Sequence, residues 1–189
     1  TFGLVHSVWC MAHRLNLVVK DFLKMDGVKT VTSFCDWFTS RRMLVNYKAF
    51  LSLNHPRQKL KTIPQPSETR WLYYRGVLCA VWSQRVFVEE FVRNRDDFVR
   101  FWDGLKHDRE MCGLSVDGPF SFDDKMINAW FLFTDHVLQM LGRVCTLLQE
   151  RYSTVFEAWS VVLSLKRHVQ LLSSQFQDSP PFAFITQLD

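Results

Sequence analysis

Cys10 and His13 are the residues whose types and spacing most directly suggest chemistry. They stand three apart in SVWCMAHRLNLVV, Ser7 to Val19. A Cys-x-x-His pair can supply two of the four ligands of a tetrahedral zinc site if a second pair lies elsewhere. The remaining candidates, His55, His107, Cys112, His136 and Cys145, are scattered, and His107 and Cys112 lie five apart. The pair is therefore expected to hold no stable metal. As a nucleophile and base the two fare worse, because side chains on one helical turn rarely aim at one reacting atom. The plainer alternative makes Cys10 a small buried hydrophobe and His13 a hydrogen-bonding group where a helix begins. The sequence carries no glycine-rich phosphate loop, serine elbow or paired-carboxylate signature. Asp123-Asp124 reads as a helix start, where carboxylates meet the positive end of the dipole.

Charge gives a second candidate. From Arg41 to Arg75 there are eight cations (Arg41, Arg42, Lys48, Arg57, Lys59, Lys61, Arg70, Arg75) against one acid, Glu68. That segment carries +7, leaving −3 for the rest of a chain whose net charge is +4. Such a local excess concerns partners more than fold. The alternative is a solvated face. Trp71 follows Arg70 directly, and an aromatic ring among cations can stack on a base while its neighbours hold phosphates. Equally, Trp71 can belong to the core of its helix, and Arg70 can pair with Glu68 or another acid.

The elements that must position these residues are mainly helical. Leu4 to Trp9 is short and β-capable. Leu15, Val18, Val19, Phe22 and Leu23 then follow a helical period, which Asp26-Gly27 is expected to end. Helices are expected over Val28 to Thr39 and Arg41 to Leu53. Asn54 to Thr69, with three prolines, reads as a surface loop. Ser67 or Thr69 should cap a long helix starting near Trp71 and presenting Leu78, Val81, Trp82, Val88 and Phe91. A short helix covers Asp96 to Leu105, and His107 to Ser121 reads as a loop. Phe122-Asp123-Asp124 opens a helix running past Leu148, and Val155 to Leu172 forms another. Pro180-Pro181 ends the pattern, and FAFITQL is a β-capable tail.

The chain has 189 residues, 48% of them apolar, with 17 Phe and 7 Trp, enough for one domain with a substantial core and too apolar for disorder. No apolar run reaches the length of a membrane span, and the N-terminus lacks the order of a signal peptide. Thr1 suggests a chain cut from something longer. Five cysteines, odd in number and set among apolar residues, fit a reducing compartment.

Two motifs carry a family resemblance. CMAHRLNLVVKD, Cys10 to Asp21, resembles the Cys-x-x-His-x-Leu-Asn-Leu block of hAT-superfamily transposases. SETRW, Ser67 to Trp71, resembles the Thr-Arg-Trp block that follows it in those proteins. Together they cover about a tenth of the chain. The resemblance implies an RNase H-like catalytic core interrupted by a large α-helical insertion domain. Residues 1–10 would be a terminal strand of that core, 11–176 the insertion domain, and 177–189 a tail returning to the core. The fold would be mainly α, with one or two short strands at the ends. The family cuts DNA with two Asp and one Glu that hold Mg or Mn. By its order both Asp precede Thr1 and the Glu follows Asp189, so this chain alone would not cut DNA. An intact nuclease would need the flanking sequence to supply all three acids.

The resemblance also implies a DNA partner and a nuclear location. Arg41, Arg42, Arg57, Lys59, Lys61 and Arg70 would contact phosphates, Trp71 an unstacked base, and Cys10 and His13 would anchor the junction of core and insertion. A second copy or a protein partner is a further expectation, and a membrane is not. The rival reading is a protein-interaction scaffold descended from a transposase. Exposed Trp and Phe away from Arg41–Arg75 would favour that scaffold. A continuous positive face around Trp71 would favour DNA.

Overall fold

The computed structural model describes residues 17–58, 62–64 and 73–149, together with positions 157, 160, 163, 164 and 167. Helix α1 spans Asp26–Thr39, α2 Arg41–Asn54, α3 Tyr73–Ser83, α4 Arg85–Val92, α5 Asp96–Gly104, α6 Lys106–Met111 and α7 Lys125–Gln149. Residues 17–22 are also helical, and no strand occurs among the described residues. The fold is mainly α. The strand-like pieces at Leu4 to Trp9 and in the C-terminal tail, and the cap at Ser67 or Thr69, lie outside the described residues. Within Val155 to Leu172 the described positions are helical. No helix among the described residues is long and apolar enough to cross a membrane.

The chain divides into two compact units, one of residues 23–135 and one of 1–22 with 136–189. In the first, α1 is central and packs on α2, α3 and α6. Its apolar positions Val31, Phe34, Cys35 and Phe38 share one helical face, and all are buried. Phe34 lies at the middle of a phenylalanine cluster, with ring centroids 4.8 Å from Phe120, 6.0 Å from Phe38 and Phe131, 6.1 Å from Phe98 and 6.2 Å from Phe122. Most of these pairs meet edge to face, which the aromatic quadrupole favours. The cluster leaves a void of about 10 Å³ beside Phe34 and Trp130, so this core is close-packed. In the second unit Val19 is buried, as are Val137, Leu138, Leu141, Val144 and Cys145 of α7, the repeat of a single helical face.

Asp124 caps α7. Its Oδ1 accepts hydrogen bonds from the backbone N–H of Met126 at 2.8 Å and of Ile127 at 3.2 Å, satisfying donors that a helix start leaves free. This is the helix start expected at Asp123-Asp124.

Four expectations need correction. Gly27 does not terminate a helix; it is buried in the first turn of α1. A Cβ there would fall inside the Trp130 ring, so glycine permits a close approach. The long helix after Trp71 is two helices, broken at Gln84, which is buried and accepts a hydrogen bond from the Tyr47 hydroxyl at 3.2 Å. The loop expected from His107 begins with helix α6. That helix ends in a Schellman motif: Leu114 N–H bonds to Arg109 O and Gly113 N–H to Glu110 O, with Gly113 at φ +74°, a conformation suited to glycine. In the proline-containing loop Pro56, Arg57 and Pro64 are exposed as expected, but Ile63 is buried.

Candidate nucleic-acid interface

Most of the described part of the basic segment is α2 and the turn after it. Residues 41–58 hold four cations and no acid. Apolar spacing fixes which side of α2 faces inward. Met43, Leu44 and Tyr47 are buried, with Tyr47 packed on Phe38 at 5.0 Å and on Phe91 at 5.3 Å. Burial pushes the Tyr47 phenol pKa well up, so it serves as a hydrogen-bond donor. Arg41, Arg42, Val45, Lys48, Ala49, Ser52 and Leu53 are exposed. A single residue, Ser40, joins α1 to α2; its N–H donates to Trp37 O at 3.3 Å, and its carbonyl accepts from Leu44 N–H at 3.0 Å.

The four cations are not equivalent. Arg42 Nη2 donates to Asp97 Oδ2 at 2.9 Å. Asp97 also takes two hydrogen bonds from Arg95, at 2.9 and 2.8 Å. The Arg95 hydrogen bond is the main reason the Asp97 carboxyl sits below the usual carboxylate range, with Arg42 adding to it against a desolvation cost. Arg41, Lys48 and Arg57 have no acidic partner among the described residues. Arg41 and Arg42 also occupy the first turn of α2, where the helix dipole disfavours cations. Past the far end of α2, His55 Nε2 lies 2.9 Å from Glu90 Oε2, and its ring packs on Phe87 at 4.7 Å.

Arg75 stands 3.6 Å from Asp135, so it belongs to an internal pair. Lys59, Lys61, Arg70, Trp71, Cys10 and His13 lie outside the described residues. Cys35, Cys79, Cys112 and Cys145 are free thiols. Among the described residues no three His, Cys, Asp or Glu side chains converge in a way that could hold a metal ion. An opening of about 60 Å³ between α3 and α7, lined by Leu78, Cys79, Trp82, Phe131, Leu132 and Asp135, is far below the volume of a small-molecule site.

The aromatic residues bear on the rival reading. No described Phe or Trp is exposed, and the large exposed apolar side chains are aliphatic or Met.

Sequence reasoning missed Arg109. Its side chain is buried. Its Nη1 donates to Trp102 O at 3.3 Å, and its Nη2 to the carbonyls of Ser115, Val116 and Gly118. The guanidinium carbon lies 4.5 Å from the Trp102 ring centroid. Burial lowers the Arg109 pKa, yet the carbonyls and the ring face keep the cation favourable. Its role is to hold the loop between α6 and α7. The available sequence signal was Gly113 followed by an apolar residue, which marks a helix end just after Arg109.

No protein-family model, curated protein or solved structure matches this chain.

Proposed function

We propose that this chain is the DNA-binding part of a hAT-type transposase or of a host protein descended from one, its helices forming the insertion domain of an RNase H-like core. It holds phosphates through the basic segment and an unstacked base through Trp71, and it does not cut DNA by itself. The observation that supports this reading is the acid-free stretch 41–58, where Arg41, Lys48 and Arg57 are exposed and have no acidic partner among the described residues. No described Phe or Trp is fully exposed, although eight of them are half-buried, and this weighs against a docking surface built on protruding aromatic rings.

The test is DNA affinity measured across a salt series. Arg41, Lys48 and Arg57 alone should give a slope of roughly −3 in log K against log salt, steeper by about one unit for each further cation of the segment that meets a phosphate. Trp71→Ala should cost about 1–3 kcal/mol on a strand with an unpaired base and little on intact duplex. A folded parent chain that binds neither DNA form at low salt would sink the proposal.

A further inference from the structure

We infer that α2 enters the major groove of duplex DNA, laying Val45, Ala49 and Ser52 against the base edges. This deepens the DNA-binding reading above and rests on it. The argument comes from how the exposed residues are ordered around the helix. At about 100° per residue, the outward arc from Lys48 to Leu53 covers roughly 140°. Lys48 and Arg41 stand along one margin of that arc. Arg42 and Leu53 stand along the other. Ser52, Val45 and Ala49, none bulkier than valine and none charged, lie between them, and all of these residues are exposed.

That order matches a groove. The major groove is about 12 Å wide and admits a helix of about 10–12 Å diameter. A helix seated there turns its margins toward the two phosphate backbones and its centre toward the bases. Cations belong at the margins, and bulk or negative charge is excluded from the centre. Fourteen residues at about 1.5 Å each give about 21 Å, enough to follow the groove past several base pairs. Val45, 60% exposed, supplies an apolar contact of the kind that recognises a thymine methyl. Arg42 gives one N–H to Asp97 and, with five guanidinium donors, keeps others for a phosphate. The Asp97 bond fixes it at its margin.

The experiment uses the full chain with a labelled duplex, the matching single strand, and two neutral bulky variants, Ala49→Trp and Ser52→Trp. Both sites are exposed, and the thermal midpoint checks that each variant folds. Each variant should weaken duplex binding by about tenfold or more without weakening single-strand binding, which a new ring among cations can only strengthen by stacking. A major-groove ligand such as methyl green should displace the parent chain, and a minor-groove ligand such as netropsin should not. Replacing thymine with uracil should weaken the parent but not Val45→Ala. If the folded tryptophan variants bind duplex within about twofold of the parent, the helix does not enter the groove, and DNA binding through phosphates alone survives. If the parent binds no DNA at low salt, the DNA-binding reading itself fails and takes this inference with it.

Discussion

Residues 41–58 and 85–110 are both rich in arginine and lysine, and they use those residues in opposite ways. The first stretch has four cations and no acid; the second has six cations and seven acids. In the second, several of the charges are tied into the fold. Glu89 accepts from Arg93, from Ser121 Oγ at 3.2 Å and from Phe122 N–H at 3.0 Å. Asp97 joins Arg95 to Arg42, and Asp108 pairs with Lys29 at 2.8 Å. Arg109 is wrapped by carbonyls. In the first stretch most of the positive charge has no internal answer. A buried cation wrapped by carboxylates or carbonyls becomes part of the architecture, whereas an exposed one with donors to spare is left to solvent or to an anionic ligand.

The sharpest test of this contrast is Arg109→Ala. It leaves several carbonyls unpaired and removes the guanidinium from Trp102, so stability should fall by about 3–5 kcal/mol. Urea unfolding measures it, and a loss below about 1 kcal/mol would mean that the buried cation is not a clamp.

Asp97→Asn comes next. Because its folded pKa is depressed, Asp97 contributes stability above its unfolded value of about 3.9 and loses it as pH falls through the lower folded value. The parent should exceed the variant by up to about 1 kcal/mol near neutral pH, and the gap should close as pH drops below about 4. A gap that stays constant from pH 7 to pH 2 would show that the carboxylate charge is not what matters.

Arg41→Ala should have the smallest effect on folding. Removing a cation from the positive end of a helix dipole should leave stability unchanged or raise it by a few tenths of a kcal/mol. The same change should flatten the DNA salt slope by about one unit. Clear destabilisation would move Arg41 into the class of Arg109.

What the sequence made legible is what local periodicity records. Val31, Phe34, Cys35 and Phe38 marked α1, Leu44 and Tyr47 marked the inner face of α2, and paired aspartates marked the start of α7. The errors arose where a distant residue decides. The apolar stripe of Leu78, Val81, Trp82, Val88 and Phe91 gives no hint of a break, because Gln84 is an ordinary helix former held by Tyr47. Gly27 looks like a terminator until Trp130, far along the chain, is seen covering it. Helix α6 is short and polar, and the burial of Arg109 is invisible in its pattern. Within the candidate interface, Arg41 and Arg42 look equivalent in sequence. Asp97 lies 55 residues beyond Arg42, and only folding makes them different.

The one-residue joint at Ser40 has a thermodynamic consequence for anything that α2 captures. Fixing the backbone of a flexible residue costs about 1–2 kcal/mol in conformational entropy, and a recognition helix carried on a loose tether meets that cost at the moment of association. Here the chain passes from α1 into α2 through a residue whose N–H and carbonyl are both already bonded. The freedom was surrendered during folding, so a ligand meets a surface whose direction is set in advance. If that ligand is a nucleic acid, its contacts and released counterions count toward affinity with little subtracted for ordering the helix.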